Sequence, residues 1–292
     1  MHQATVAAFL NQKGGVGKTT SVVNIGSGLT ILGKKVCIVD LDPQGHLTTF
    51  LGIEATQYNA TIYDVLRRKV NAKDAVIEQP LGARFSIDGQ QSQLSMSVIP
   101  SDMVLSEAEQ TLSLSPKRDF LLKEAINTIR NKFDYVLIDC PPSLGLLSTN
   151  ALVAANKVFV PVQAEYLALD SLENLLKVIE SIMDEPNPDL EIGGLIATRF
   201  DGRKVINRSV VESLKERFGV LLLETVIREN IALAESPSYG KDIFTYRPRS
   251  HGAEDYLNLC LEVMGQTSTP EASLTVERGG AISRQTGARM AS

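Results

Sequence analysis

NQKGGVGKTT, residues 11–20, is a glycine-rich run that ends in a lysine and two threonines. Glycines let successive backbone N–H groups wrap an anion, and a lysine before a hydroxyl residue completes a phosphate loop. On this reading Lys13, Gly14, Gly15, Val16, Gly17, Lys18, Thr19 and Thr20 surround the phosphates of a nucleotide. Lys18 neutralises them, and Thr19 offers its hydroxyl to Mg²⁺. Lys13 exceeds what such a loop needs. A cation at the rim does not readily fold back onto its own phosphates, but it can reach those of a second subunit. The motif therefore predicts a dimer as well as a nucleotide.

The flanks fit the loop. Residues 4–10 are an apolar run of strand length, as a strand buried on both faces would be. Residues 20–32 carry apolar positions at helical spacing and stop at Gly33. A helix starting at the loop adds its dipole to the exposed amides, which favours an anion there. Further strand-like runs fall at 36–40, 96–99, 135–139, 158–162, 192–198 and 221–226, alternating with helical stretches. The segment 80–96, polar and glycine-containing, reads as a loop or edge excursion. Such alternation predicts an α/β protein, a P-loop NTPase with a mostly parallel twisted sheet and helices on both faces. Residues 1–264 read as one ATPase domain. Residues 265–292, rich in Ser, Thr, Gly and Ala, read as a disordered tail.

Two strand ends carry carboxylates. Val36-Cys37-Ile38-Val39-Asp40 leads into Leu41-Asp42-Pro43-Gln44-Gly45, and Tyr135-Val136-Leu137-Ile138-Asp139 leads into Cys140-Pro141-Pro142-Ser143. Ligands of open α/β sheets bind at the carboxyl ends of strands. One acid of the Asp40/Asp42 pair can orient Mg²⁺ or the loop lysine, and the other the attacking water. Asp139 has the Walker-B position, whose acid holds a Mg²⁺-bound water beside the phosphates. The Pro-Pro pair stiffens the chain there, as a reporter of the γ-phosphate would need.

Composition narrows the class. The 292-residue chain is 43% hydrophobic and 22% charged, ordinary for a globular protein. No apolar run approaches the ~20 residues of a membrane span, and no secretory signal is evident, so a cytoplasmic protein is expected. Cys37, Cys140 and Cys260 are far apart and suggest no disulfide framework. His2, His46 and His251 lack metal-ligand spacing. The formal charge is −5, yet residues 199–217 hold six basic side chains against three acids. Taken alone, that segment reads first as a solvated helix face.

Together KGGVGKTT (13–20), DLDPQG (40–45), VLIDCPPSLG (136–145), PVQAEYLALDS (161–171) and ESPSYGKDI (235–243) resemble the ParA/Soj family of deviant Walker-A ATPases, relatives of MinD, over residues 4–264. The resemblance implies an ATP-dependent sandwich dimer, slow MgATP hydrolysis and DNA binding without sequence preference. It also implies a ParB-like or other adaptor that stimulates hydrolysis, and a nucleoid-associated location. By position Lys13 resembles the lysine that crosses the dimer, and Lys18 and Thr19 the phosphate lysine and Mg²⁺ ligand. Asp42 resembles the switch aspartate and Asp139 the Walker-B acid. The catalytic set is thus Lys13, Lys18 and Asp42, and the Mg²⁺ set Thr19, Asp42 and Asp139.

Arg203 falls where the family has a DNA-contacting arginine, which turns Arg199, Arg203, Lys204 and Arg208 into a DNA surface. A second family arginine is replaced by Ala232, with Arg228 and Lys241 nearby to compensate. A MinD-like membrane-cycling regulator of cell division or flagellar placement is the alternative; it needs a C-terminal amphipathic helix with basic and bulky apolar faces, and residues 265–292 offer little of either. An iron-protein type of cluster carrier would need closely placed thiolates.

Overall fold

In the computed structural model, which describes residues 3–87, 90–165, 168–266, 274–276 and 281–284, the chain alternates strands and helices as the sequence predicts. The strands are β1 (Thr5–Phe9), β2 (Val36–Asp40), β3 (Ile77–Ile87), β4 (Gln90–Ile99), β5 (Tyr135–Asp139), β6 (Lys157–Gln163), β7 (Glu191–Thr198), β8 (Leu274–Val276) and β9 (Ala281–Arg284). The helices are α1 (Lys18–Ile31), α2 (His46–Phe50), α3 (Ile62–Leu66), α4 (Ala72–Ala75), α5 (Ala108–Leu112), α6 (Leu121–Asn127), α7 (Leu146–Ala154), α8 (Ala168–Asp184), α9 (Val205–Phe218), α10 (Ile231–Glu235), α11 (Ile243–Tyr246) and α12 (His251–Val263). They form one sheet in the order β7-β6-β1-β5-β2-β4-β3-β9-β8. From β7 to β4 every neighbouring pair is parallel.

The central strands are unbroken apolar runs because both their faces are covered. Val6, Ala8, Cys37, Val39, Val136 and Ile138 join one core, under α6, α7 and α8. Their neighbours Ala7, Phe9, Val36, Ile38 and Leu137 join the other, under α1 and α12. This is the period-two alternation of a strand, with two apolar destinations instead of one.

Helix α1 lies unusually deep. A methyl group on Gly26 would meet Met96 Sδ at 2.8 Å, and one on Gly28 would meet Cys260 Sγ at 2.6 Å. Bare glycine lets the helix pack against the sheet on one side and α12 on the other.

Three segments depart from the sequence reading or sharpen it. Residues 80–87 and 90–96 lie in the antiparallel pair of β3 and β4, with a register shift between Pro80 and Arg84, and β9 and β8 continue the sheet beyond β3, so this segment is neither a loop nor an edge. The strand expected at 221–226 is reduced to a single bridge between Leu195 and Leu222. The amides of Glu224 and Thr225 instead donate to the Glu262 carboxylate of α12, at 2.6 and 3.0 Å, so they cannot join a ladder. Within the segment read as a disordered tail, β8 and β9 pair with each other and β9 with β3; the rest of 267–292 lies outside the described residues. Short helices α2, α10 and α11 had no recognisable periodicity.

Candidate nucleotide site

The glycine loop leaves β1 at the centre of the sheet, and α1 begins at Lys18. Gly15 and Gly17 have φ of 74° and 89°, a left-handed backbone that side chains disfavour. No side chain caps α1, so its first amides stay free for an anion. Thr198 Oγ1 at the end of β7 donates to the Val16 carbonyl at 2.8 Å and fixes the loop's far side.

Lys18 is buried. Its ammonium donates to the carbonyls of Asn11 (2.9 Å) and Lys13 (3.3 Å). Burial lowers its pKa, and Asp139 pulls the other way. Lys13 points elsewhere: its ammonium pairs with Glu165 beyond β6. The two lysines of the motif thus have separate stations, one inside the loop and one on its rim.

Adjacent strands bring the acids together. Asp139 stands in register with Phe9 on one side and Asp40 on the other. The Thr19 hydroxyl donates to Asp139 Oδ2 at 2.7 Å, while Oδ1 is buried without a hydrogen-bond partner. Burial first, then the charge of Asp40, raises the Asp139 pKa well above the usual carboxylate range. A buried carboxylate with an unused oxygen beside a hydroxyl fits a divalent cation. Among the described residues no three His, Cys, Asp or Glu side chains gather as a metal site. A Mg²⁺ that takes a hydroxyl, an acid and phosphate oxygens needs no such group.

Asp40 and Asp42 have different settings. Asp40 turns into the protein, where Thr48 donates to its Oδ2 from N–H (2.9 Å) and from its hydroxyl (2.7 Å). Its Oδ1 accepts the Asp42 N–H at 3.2 Å. Burial raises its pKa to about 6. Ser101, after β4, donates N–H to Thr48 Oγ1 (3.0 Å) and its hydroxyl to the Asp42 carbonyl (2.9 Å). Asp40, Thr48 and Ser101 therefore hold the backbone of Asp42 from both sides. Two roles were expected, one acid for Mg²⁺ or the loop lysine and the other for the attacking water; Asp40, with both oxygens occupied inside the protein, is available for neither. Neither Thr48 nor Ser101 carries a sequence signal that would have marked it.

Beside the glycine loop lies a cavity of about 340 Å³, lined by Gly15, Gly17, Thr20, Arg199, Arg228 and Glu229 among others. Residues 227–231 and Tyr256 supply its far wall; of these the sequence singles out only Arg228, and as a DNA contact. Arg199, expected on a DNA surface, has a left-handed backbone (φ 52°) and lines this cavity.

The remaining candidate DNA residues are mostly engaged. Arg203 is 92% exposed and holds Asp201 with two hydrogen bonds of 2.9 and 3.0 Å. Lys204 reaches Glu229 at 2.7 Å, and Arg208 donates to the Gly202 carbonyl at 2.5 Å. Arg228 is forked onto Asp255 and also meets Glu254 of α12. Those partners raise its pKa. It ties the cavity wall to α12, a use the sequence did not suggest. Lys241 is exposed.

The sequence model of the AAA domain family matches residues 4–192. The sporulation initiation inhibitor protein Soj of Bacillus subtilis is 41% identical over 88% of this chain and 97% of its own length. The chromosome partitioning protein ParA of Caulobacter vibrioides is 39% identical over 91% of this chain and 96% of its own. The chain belongs to the ParA/Soj family.

As a ParA/Soj protein it is an ATP hydrolase, and its cofactors are ATP and Mg²⁺. A solved relative, cobyrinic acid a,c-diamide synthase from Mycobacterium smegmatis with ADP and magnesium, shares the fold at a TM-score of 0.75 and 33% identity. That alignment covers 89% of this chain and 94% of the other. No helix among the described residues is long and apolar enough to cross a membrane.

Proposed function

We propose that this ParA/Soj ATPase closes with MgATP into a sandwich dimer, binds double-stranded DNA without sequence preference and drives the partitioning of chromosome, plasmid or protein cargo. An adaptor protein of ParB type stimulates hydrolysis and resets the cycle. The observation that carries this reading is the pair of lysines. Lys18 occupies the phosphate loop, while Lys13 stands on the rim with its ammonium outside the loop.

The loop amides and Lys18 take the β- and γ-phosphates, and the adjoining cavity has room for the nucleoside. Thr19, Asp139 and Asp42 would hold Mg²⁺, which screens the charge that develops on the phosphates. Asp42, braced at the mouth of the site, orients the attacking water. Lys13 donates charge to the partner's phosphates, so hydrolysis is slow until the dimer and the adaptor complete the site. Arg203, Lys204, Arg208 and Lys241 face DNA phosphates, and two subunits double that surface.

Light scattering of the wild-type chain and Asp42→Ala, with MgATP or MgADP, tests the reading. The expected result is an ATP-specific dimer that persists in Asp42→Ala and binds random-sequence duplex. A monomer under every condition would overturn it.

A further inference from the structure

On the outer side of the cavity wall, the segment 199–208 and the segment 227–231 are zipped together. Phe200 N–H donates to the Ile227 carbonyl (3.0 Å), and Glu229 N–H to the Phe200 carbonyl (2.9 Å). This brings two carboxylates into the basic cluster. Asp201 is bonded to Arg203 and lies 3.8 Å from Lys204; Glu229 takes the Lys204 ammonium at 2.7 Å. Arg199 adds its field at Glu229. The two most prominent cations of the cluster are thus already neutralised by acids of their own chain.

We propose that Asp201 and Glu229 are anionic masks on a DNA-phosphate surface, set so that one subunit binds DNA too weakly to stay and two together bind it. This rests on the reading of the segment as a DNA surface. Binding to duplex is an exchange of anions: a phosphate must displace a carboxylate as well as a counterion. Exposed ion pairs of this kind are weak, so the masks yield to a duplex but tax every contact. With roughly one phosphate contact forfeited per masked cation, affinity per subunit falls about five- to tenfold near 0.1 M salt. Linking two such surfaces in a dimer multiplies weak contacts into a usable one.

Glu229 is the cleaner mask to remove, because Asp201 also accepts the Arg203 amide and shapes the turn. Glu191, paired with Lys157 where both β6 and β7 begin, the end of β7 away from the cluster, provides a control of equal charge change. Fluorescence anisotropy with a random-sequence duplex and MgATP, over a salt series from about 50 mM upward, would compare wild type, Glu229→Gln, Glu191→Gln, Lys204→Gln and the double variant Glu229→Gln/Lys204→Gln. Glu229→Gln is expected to bind roughly five- to tenfold tighter per subunit engaged, about 25- to 100-fold for a dimer with both subunits on the duplex, with a salt slope steeper by about one per subunit. Glu191→Gln is expected to change affinity less than about twofold, the effect of net charge alone. The gain should vanish in the Lys204→Gln background, which separates unmasking from any change in the cavity that Glu229 also lines.

A Glu229→Gln protein no tighter than Glu191→Gln, or a gain that survives without Lys204, overturns the mask. No DNA binding by any of the five proteins at the lowest salt overturns the DNA reading itself, and the mask with it.

Discussion

The ammonium of Lys13 lies 2.5 Å from the carboxylate of Glu165 in its own chain. Both side chains are about half exposed, at 42% and 49%, so the pair is worth no more than about 1 kcal/mol. A tether that weak holds the lysine off its own loop without locking it there. Lys13→Gln should bind ATP nearly as wild type but dimerise poorly and resist stimulation. Glu165→Gln, which frees the lysine, should dimerise at equal or lower protein concentration. Analytical ultracentrifugation with MgATP distinguishes them; ATP-dependent dimers of normal strength in Lys13→Gln would exclude a role in trans.

Among the described residues Lys18 is the only ammonium inside the loop. Lys18→Ala should abolish tight ATP binding and lower turnover by roughly a hundredfold or more, the scale of losing one donor to developing charge. Titration with a fluorescent ATP analogue and a phosphate-release assay measure both. Hydrolysis at the wild-type rate would contradict the assignment.

The brace behind Asp42 makes a separate prediction. Thr48→Val keeps the side-chain shape but removes the hydroxyl shared by Asp40 and Ser101. Its turnover should fall about tenfold to a hundredfold, the effect of a small misplacement of a catalytic group, with KM for ATP little changed. Thr48→Ser should recover most of the rate. A rise in KM with unchanged kcat would instead make Thr48 part of ATP binding.

The buried Asp139 predicts a pH dependence of stability. Its folded pKa is raised, so folding favours the protonated acid. The penalty is absent below the unfolded pKa of about 3.9 and grows as pH rises towards the folded value. In nucleotide-free protein, the Tm advantage of Asp139→Asn over wild type should therefore grow as pH rises above about 4. Excess Mg²⁺ with ATP should narrow the gap by stabilising wild type alone. Scanning calorimetry across that range measures it, and a constant difference would show that Asp139 is charged at no cost.

Much of this was legible in the residues. The glycine loop, the two acid-tipped strands and the alternation of elements follow from local pattern, because buried parallel strands must be apolar throughout. The ion pairs were not legible. Arg203 and Asp201 are neighbours in sequence, but Lys204–Glu229 and Arg228–Asp255 depend on how distant loops fold against β7 and α12. Local pattern alone does not divide Asp40 from Asp42, since both leave the same strand; the family resemblance points to Asp42, and the bonds from Thr48 show physically why Asp40 is committed to the interior.

The bare glycines of α1 have a mechanical consequence. With Met96 and Cys260 pressed where methyl groups would be, the helix behind the phosphate loop has no slack in either direction, and close-packed interiors do not compress to make any. The anvil of the nucleotide site is therefore fixed. A change of nucleotide must be accommodated around α1 and not within it.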